Sequence, residues 1–240
     1  MKKDICGVLL CAGIGSRLGE VTSNKPKCLV DVNGINCLDF WILKFKKFGI
    51  KNILINTHYK SHQIRYHIKK NWGSDNIIFK ITYEKNLLGT AGTINKNYKF
   101  LSNTTDIFVV HCDMISDFNI NTFYHFHKKR KNEFLATMSS FKSNNYRSCG
   151  MIFEKNNKII KYIEKPKKKV KTDLANASIY LLTNDFLYYM KKNFSKSKDF
   201  AKDILPYTFN FFTLYKHRGY LIDIGTPIDL KYAKKLKIKI

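Results

Sequence analysis

Two glycines and a basic side chain directly follow an apolar run near the start of the chain. The segment Leu9–Leu18 reads Leu-Leu-Cys-Ala-Gly-Ile-Gly-Ser-Arg-Leu, so the glycines are Gly13 and Gly15. Glycine lets the backbone bend sharply and approach a ligand without a Cβ in the way. Successive free N–H groups in such a turn bind anions, and the Arg17 guanidinium adds a positive charge with several N–H donors. The segment predicts a phosphate-binding turn, although a plain strand-to-helix turn would show the same pattern.

Two common phosphate-binding motifs fit this turn poorly. A Walker A loop requires G-x-x-x-x-G-K-[ST], and that string does not occur in the chain. The dinucleotide fingerprint G-x-G-x-x-G requires glycine where Leu18 stands, and the next glycine is Gly19. The residues that follow, Val21–Pro26, have the composition of a loop and do not predict the helix that this fingerprint needs.

Six segments, the first of which includes the turn, together indicate one family of phosphate-binding enzymes. They are Gly13–Leu18 with Lys25–Val30, Glu84–Gly92, Cys112-Asp113, Glu164-Lys165-Pro166, Asn176-Ala177 and Asp223–Pro227. Together they resemble the sugar-phosphate nucleotidyltransferases (nucleotide-sugar pyrophosphorylases), in particular the mannose- and heptose-1-phosphate guanylyltransferase-like members. These enzymes make a nucleotide sugar and pyrophosphate from a nucleoside triphosphate and a sugar 1-phosphate.

The resemblance implies a role for each matching residue. The implied catalytic residues are Arg17, Lys27, Asp113 and Asp223, and the two aspartates would hold Mg²⁺, the implied cofactor. The implied nucleotide-binding residues are Leu10, Ala12, Gly13, Gly15, Ser16, Arg17, Glu84, Gly89 and Thr90. The implied acceptor-binding residues are Gly150, Glu164, Lys165 and Asn176. Each has an ordinary structural alternative: Asp113 and Asp223 could end strands, and Glu164-Lys165 could be a solvated ion pair.

The implied chemistry is in-line attack of a phosphate oxygen on the α-phosphorus of the nucleotide, with release of pyrophosphate. Positioning and charge neutralisation drive such a transfer, and an anionic phosphate needs no general base. Arg17 and Lys27 would offset the triphosphate charge, while Lys165 would hold the attacking phosphate.

The nucleobase stays open at this point. The Glu84 carboxylate only accepts hydrogen bonds, which suits the donor groups of guanine, cytosine or uracil. The segment Glu84–Gly92 is most similar to guanylyl-transferring members, whereas Cys11-Ala12-Gly13 is closer to uridylyl- or cytidylyl-transferring ones. His111–Met114 also departs from the family's usual pattern around the metal aspartate, which leaves the sugar undetermined. If Glu84 reads the base, Glu84→Gln should change the preferred nucleotide or the KM for the nucleotide.

Short apolar runs that alternate with amphipathic segments predict the elements that must carry these residues. Predicted strands are Ile5–Cys11, Asn52–Asn56, Ile77–Tyr83, Ile107–His111, Phe134–Ser139 and Ala177–Leu182, with a hairpin of Cys149–Phe153 and Ile159–Ile163. Predicted helices are Leu38–Phe48, Ser61–Lys70 with Ser61 as its cap, Asn121–Lys129, Asp185–Lys192 and a last one capped by Thr226. We expect a single α/β domain over residues 1–240, with a three-layer Rossmann-like nucleotidyltransferase fold, a mixed, mostly parallel sheet and a small antiparallel insertion.

Composition limits the classes of protein to which the chain could belong. Hydrophobic residues make up 44% and charged residues 25%, which is typical of a globular protein. No apolar run is long enough for a membrane span or a signal peptide, so we expect a cytoplasmic protein with no membrane partner. The six cysteines form no C-x-x-C pair, so we expect them to be reduced and mostly buried. The sequence leaves a homo-oligomer open.

The net charge of +25 raises an alternative from another class, a basic nucleic-acid-binding protein. The basic residues are scattered through the chain, and a lysine-rich, isoleucine- and asparagine-rich composition is typical of an AT-biased genome. We therefore expect no nucleic-acid partner. Within enzymes, the alternative is a cytidylyl- or uridylyltransferase that acts on another phosphorylated acceptor.

Overall fold

The computed structural model describes residues 4–238 of the 240-residue chain. The strands are β1 (Ile5–Leu10), β2 (Asp31–Val32), β3 (Ile35–Asn36), β4 (Asn52–Thr57), β5 (Ile78–Tyr83), β6 (Asp106–His111), β7 (Met114–Ser116), β8 (Ala136–Lys142), β9 (Gly150–Lys155), β10 (Lys158–Glu164), β11 (Leu174–Thr183), β12 (Phe212–Lys216) and β13 (Leu221–Asp223). The α-helices are α1 (Glu20–Ser23), α2 (Cys37–Phe48), α3 (Ser61–Trp72), α4 (Gly89–Lys96), α5 (Tyr98–Leu101), α6 (Ile120–Lys128), α7 (Asn184–Asn193), α8 (Leu205–Thr208) and α9 (Pro227–Ala233). Short 3₁₀ or π turns cover Ser16–Leu18, Lys27–Leu29, Phe200–Ile204 and Phe209–Phe211.

The chain divides into two compact units. Within the described residues, the first unit contains residues 4–87, 110–120 and 220–238, and the second contains residues 88–109 and 121–219. The expectation that residues 1–240 form a single domain stays a prediction. Between residues 4 and 238, no helix is both long and apolar enough to cross a membrane.

The first unit is built on three parallel strands in the order β5-β4-β1. The registers pair Leu10 with Asn56 and Thr57 with Tyr83, so the carboxyl ends of these strands lie side by side. Helix α2 is capped by the Asn36 side chain, which accepts a hydrogen bond from the Asp39 amide, and it buries an aromatic face that includes Trp41. Ligands collect at the carboxyl ends of such strands, where the chain leaves the sheet.

The second unit contains strands in the order β11-β8-β12-β10-β9. Strands β8 and β12 pair in parallel, whereas β11–β8, β10–β12 and β9–β10 are antiparallel. The mixed α/β architecture is confirmed, and the antiparallel part extends over more strands than the predicted hairpin. Strand β11 is irregular between Asn176 and Tyr180, where Ser178 has a φ of 54°.

Most predicted elements are present, with ends shifted by a few residues. The prediction that Ser61 caps α3 is wrong: Lys60 occupies the cap position with a φ of 48°, and the Ser61 hydroxyl bonds to the Thr57 hydroxyl instead. The Thr226 cap is confirmed, because its side chain accepts from the Asp229 amide and Pro227 follows at the first helical position.

Several elements were not predicted, among them the short strands β2, β3, β7 and β13 and the helices α4, α5 and α8. Strand β12 was absent from the expected set of strands. Of the residues expected to be a loop, Val21–Pro26, the first three belong to the single-turn helix α1, which follows the 3₁₀ turn Ser16–Leu18.

A partly buried carboxylate joins α2 to α3 in the first unit. The Asp39 carboxylate accepts hydrogen bonds from Asn36 Nδ2 at 2.6 Å, His67 Nε2 at 2.8 Å and Trp72 Nε1 at 2.6 Å. Burial alone would raise the pKa of Asp39, but the bonds from His67 and Trp72 outweigh it and hold that pKa below its ordinary value. The ionised form is therefore the one that stabilises the packing of α3 on α2.

We expect Asp39→Asn to lower the free energy of unfolding by about 1–3 kcal/mol at neutral pH, because its amide presents an N–H₂ group to a site that contains only donors. Since the folded pKa is depressed, this loss should be constant above about pH 5 and should shrink as the pH falls through the folded pKa, below the ordinary value near 4. Urea unfolding of the wild-type chain and of Asp39→Asn, repeated at several pH values above and below about 4, measures this loss of stability. Asp173→Asn, at an exposed pair with Lys142, should cost under about 1 kcal/mol. A loss that does not change with pH would contradict the assignment.

Candidate functional site

The glycine turn after β1 is shaped by close packing on Lys27. Gly15 has a φ of 74°, and a Cβ there would stand 3.0 Å from Lys27 Cβ and from Thr22 Cγ2. Thr22 Oγ1 donates to the Gly15 carbonyl at 3.0 Å. Gly13 has nothing within 4 Å of the place where a Cβ would stand, so its backbone is open to a ligand. Ser16 and Arg17 are exposed beside it.

One ammonium group lies between the two predicted metal aspartates. Lys27 Nζ is 2.8 Å from Asp113 Oδ2 and 2.8 Å from Asp223 Oδ1. The Lys27 side chain is only 6% exposed, whereas the Asp113 and Asp223 side chains are 33% and 52% exposed. A buried ammonium is stable only with such partners. The structure therefore brings three of the predicted catalytic residues into direct contact.

A small antiparallel ribbon sets the distance between the two aspartates. Strands β7 and β13 pair with Asp223 opposite Met114, and the Ile224 amide donates to the Asp113 carbonyl at 2.9 Å. Gly225 follows directly: a Cβ there would lie 2.8 Å from Arg17 Nη2 and 2.9 Å from Asp223 Oδ1. Arg17, the fourth predicted catalytic residue, is thus close to the same carboxylate.

The pKa values of Lys27, Asp113 and Asp223 respond differently to their shared contact. Burial would lower the pKa of Lys27, but attraction to Asp113 and Asp223 outweighs it and raises that pKa. Burial would raise the pKa of Asp113, but Lys27 holds it below its ordinary value. The pKa of Asp223 is raised by burial and by the neighbouring Asp113 carboxylate. One lysine therefore leaves the pair of carboxylates incompletely neutralised.

The donor set fits a hard divalent cation that is completed by substrate. Magnesium is usually bound by one or two carboxylates together with phosphate oxygens, so Asp113 and Asp223 match what it requires. Among residues 4–238, His, Cys, Asp and Glu form no group of three that could make an all-protein metal cage. The residues fit Mg²⁺ held jointly with a nucleotide and do not form a separate structural metal site.

Three thiols lie behind these polar residues. Cys11, Cys28 and Cys112 are each at most 5% exposed, and each is next to the turn or to a predicted catalytic residue in the chain. Burial, with hydrogen bonds to the other two thiols, raises the pKa of Cys11 well above its ordinary value. Such thiols act as small packing groups and not as nucleophiles. The expectation of reduced, mostly buried cysteines is confirmed within the described residues.

The carboxylate expected to read the base is buried. Glu84, which follows β5, is 1% exposed, and its Oε1 accepts from Asn56 Nδ2 at 3.0 Å. Asn56 Oδ1 in turn accepts from the Cys11 amide at 2.7 Å, and His58 Nδ1 lies 2.7 Å from the Glu84 carbonyl oxygen. The carboxylate therefore lies inside the protein, and the direct base contact that the resemblance implies for Glu84 stays a prediction.

Predicted acceptor residues gather in the second unit around two tyrosines. Tyr162 donates to Glu164 Oε2 at 2.5 Å, and Asn176 Nδ2 donates to the Tyr180 hydroxyl oxygen at 2.6 Å and lies 3.5 Å from that of Tyr162. Gly150 pairs with Glu164 across β9 and β10, and a Cβ at Gly150 would overlap the Tyr162 hydroxyl. Burial, with Tyr180 and Glu164 nearby, raises the pKa of Tyr162, which keeps it a hydrogen-bond donor.

Three other predicted residues of the second unit lie outside this network. Lys165 is 62% exposed with a φ of 44°, and its Nζ is 3.9 Å from Glu164 Oε1. Gly89 begins α4 with a φ of 75°, and the Thr90 hydroxyl accepts from the Phe200 amide at 2.8 Å. The Thr90 side chain therefore supports the turn at Phe200–Ile204.

Comparison with known proteins identifies the family. The family model described as nucleotidyl transferase matches residues 6–238. The chain belongs to the nucleotidyl transferase family. Members act on nucleoside triphosphates and sugar phosphates, and generally use a divalent metal.

Individual relatives of this family member differ in the nucleotide named. The chain is 29% identical to the D-glycero-alpha-D-manno-heptose 1-phosphate guanylyltransferase of Campylobacter jejuni, over 92% of this chain and 95% of the relative. It is 30% identical to the glucose-1-phosphate adenylyltransferase of Fervidobacterium nodosum, over 93% of this chain but only 59% of the relative. A Bacillus anthracis structure assigned as a glucose-1-phosphate thymidylyltransferase, solved with sucrose, has a TM-score of 0.86 at 22% identity, over 98% of this chain and 97% of that one.

Several polar residues of the two clusters were missed from the sequence. Asn56 ends a predicted strand, and His58 follows that strand two residues later. A polar residue at the carboxyl end of a buried strand is the signal that could have identified both. Tyr162 and Tyr180 alternate with apolar neighbours on strands, a pattern equally typical of core residues.

We expect Tyr162→Phe to raise the KM for the sugar phosphate by about tenfold, because the Glu164 carboxylate loses the hydroxyl that orients it. The KM for the nucleotide and the melting temperature should change little. Initial rates with each substrate varied in turn measure this split, and Tyr188→Phe, at a tyrosine 59% exposed, is the matched control. Equal effects on both KM values would contradict a role in acceptor binding.

Proposed function

We propose that the chain transfers a nucleotidyl group from a nucleoside triphosphate to a sugar 1-phosphate, releasing pyrophosphate and forming a nucleotide sugar. The observation that carries the proposal is the contact of the Lys27 ammonium with both Asp113 and Asp223 beside an open glycine turn. The family match over residues 6–238 supports it independently.

The proposed chemistry uses the charges of the first unit to hold a triphosphate. The backbone at Gly13 and the exposed Arg17 would bind phosphate oxygens, and Lys27 would offset the charge that accumulates as pyrophosphate leaves. Asp113 and Asp223 would hold Mg²⁺, which when bound neutralises phosphate charge and orients the α-phosphate. Because the attacking phosphate is already an anion, the site requires no general base.

In the second unit, the proposed role of Glu164 and Asn176 is to bind hydroxyl groups of the sugar. Their partners Tyr162 and Tyr180 hold them in a hydrogen-bonded arrangement that is largely buried. Lys165, exposed and next in sequence, is proposed to bind the phosphate of the acceptor.

For the nucleotide we propose GTP, with a mannose- or heptose-type 1-phosphate as acceptor. The support is the C. jejuni heptose 1-phosphate guanylyltransferase, which matches over nearly the full length of both chains, whereas the adenylyltransferase relative is much longer. The product would serve synthesis of surface polysaccharide, and the cytoplasmic location stays a prediction. Cytidylyl or uridylyl transfer to another phosphorylated acceptor is the alternative that an assay of all nucleotides tests.

We expect Asp113→Asn and Asp223→Asn each to lower turnover by about 10³-fold or more, because each removes charge that holds the metal–triphosphate complex. The measurement is pyrophosphate release with GTP, ATP, CTP and UTP against a panel of sugar 1-phosphates at saturating Mg²⁺. The control Asp31→Asn, at the exposed first residue of β2, should retain wild-type turnover.

Two results would count against the proposed function. Full activity in both aspartate variants would remove the metal assignment. Salt-sensitive binding to any duplex, with no pyrophosphate released by any pair of substrates, would favour the nucleic-acid alternative instead.

A further inference from the structure

A cavity of about 430 Å³ opens at one end of the second unit, between the segment that follows α6 and the turn that joins β9 to β10. This volume falls within the range of small-molecule sites in proteins. Lys158, which lines the cavity, begins β10, and Glu164 ends the same strand. At about 3.3 Å per residue, the cavity lies about 20 Å along β10 from that predicted acceptor residue. It is therefore separate from the acceptor cluster of the second unit.

Positive side chains line most of the charged wall of this cavity. The single carboxylate among the lining residues is that of Glu133, against five cations, namely Lys129, Arg130, Lys131, Lys155 and Lys158. Within residues 4–238, none of these five cations forms an ion pair, whereas the neighbouring Lys128 pairs with Asp106 at 2.7 Å. The cavity therefore concentrates positive charge that the described part of the chain does not neutralise, and such a site attracts anions.

The turn between β9 and β10 places two of these cations next to each other. Lys155 pairs directly with Lys158, and the two asparagines between them have φ values of 52° and 61°, as a two-residue hairpin turn requires. Like charges directly opposite each other destabilise a pair of strands. The nearby Glu154 carboxylate is already bound, because it accepts from Lys216 Nζ at 2.7 Å and from the Asn157 amide at 2.9 Å. An anion bound between the two lysines would relieve their repulsion.

Arg130 is oriented by the protein itself. Its Nε donates to the Phe134 carbonyl at 3.0 Å, and its Nη1 donates to the His127 carbonyl at 2.9 Å. A guanidinium has five N–H donors, so others remain for an anion. Burial lowers the pKa of Arg130, and attraction to Asp106 and Asp185 offsets this only in part. An anion in the cavity would supply the interaction that burial takes from this cation.

The segment that carries three of the cations, residues 129–131, is anchored at a buried residue. His127 is fully buried, with Nδ1 at 2.7 Å from Thr137 Oγ1 and Nε2 at 3.2 Å from Asp106 Oδ1. The other oxygen of Asp106 accepts from Lys128 Nζ at 2.7 Å. These bonds fix the segment to β6 and β8, so its cations are positioned before a ligand binds, which favours affinity.

We infer that this cavity is a second anion-binding site, for a small molecule that carries two or more phosphate groups. A chain of phosphates matches a group of five cations better than one phosphate does. Phe126 and Phe134 add an apolar wall, against which a ring of the ligand packs. The inference goes beyond the proposed function and does not depend on it, because every residue of the cavity belongs to the second unit and none has a role in the proposed transfer.

The test removes the paired charges of the turn. In Lys155→Gln/Lys158→Gln, the affinity of the cavity for inorganic pyrophosphate should fall at least about tenfold, because two ammonium groups near a multiply charged anion are lost. The matched control is Lys69→Gln/Lys70→Gln, which removes the same charge from two exposed lysines of α3. All four side chains are exposed, so both double variants should fold like the wild-type chain, and melting temperatures check this.

Calorimetry on the full chain, at about 150 mM salt and without Mg²⁺, measures the binding of pyrophosphate and of GTP. Each titration is repeated in an Arg17→Gln background, which weakens binding at the glycine turn and leaves the cavity unchanged. The expected result is binding that persists in Arg17→Gln, is lost when Lys155→Gln/Lys158→Gln is added, and is retained with Lys69→Gln/Lys70→Gln. Tighter binding of GTP would identify the ligand as a nucleotide, and equal binding would identify it as pyrophosphate; both support the inference.

Any of three results would overturn the inference. The first is no binding of pyrophosphate or GTP in the Arg17→Gln background, and the second is an equal loss in the two double variants. The third is a chain that binds a DNA duplex through Lys155 and Lys158 but neither small anion, which would assign the cavity to nucleic acid. The first two leave the proposed function intact, because pyrophosphate release by the wild-type chain does not depend on the cavity. A chain that binds pyrophosphate there but releases none from any pair of substrates would overturn the proposed function alone.

Discussion

The Lys27 ammonium lies within hydrogen-bond distance of two carboxylates that come from distant parts of the chain. A buried ammonium without partners would cost several kcal/mol, so its stability depends on the segments that bring Asp113 and Asp223 to it. Those segments are specified in detail: Gly15 leaves room for the Lys27 stem, and the β7–β13 ribbon sets the spacing of the aspartates. The same contact leaves the two carboxylates with more negative charge than one lysine offsets, which is the electrostatic basis for adding a divalent cation and a nucleotide.

Around this contact, the first unit places polar groups where its parallel strands end. Strands β1 and β4 are almost wholly buried, and the side-chain amide of Asn56, the penultimate residue of β4, links the turn to Glu84. The thiols of Cys11, Cys28 and Cys112 fill the space behind the turn, and burial raises the pKa of Cys11 and of Cys112, which keeps those two protonated. The thiols therefore support the turn by packing, and Asn56 supports it by hydrogen bonds. Such support fixes the turn before a ligand binds, as the proposed transfer of a nucleotidyl group requires.

The sequence predicted the parts of this site better than their connections. Runs of β-branched residues located β1, β4 and β6 because buried parallel strands have a simple pattern, and the motif order indicated Lys27, Asp113 and Asp223. The burial of Glu84 could not be predicted, because it depends on the register that places Asn56 between Cys11 and Glu84. The tyrosines beside Glu164 and Asn176 depend on the irregular register of β11 at Ser178, which no local pattern encodes. Ser61 failed as a cap for a similar reason, since its hydroxyl found a tertiary partner in Thr57.

The central claim is that charge gathered at Lys27, Asp113 and Asp223 serves attack on the α-phosphate of a nucleotide. It is tested most directly by following isotope from GTP labelled separately at the α- and γ-phosphates, with Mg²⁺ and a mannose- or heptose-type 1-phosphate. The account predicts that the α-label appears in a nucleotide sugar while the γ-label leaves as pyrophosphate. Transfer of the γ-label to the sugar phosphate, or release of the γ-label as orthophosphate with no nucleotide sugar formed, would contradict it.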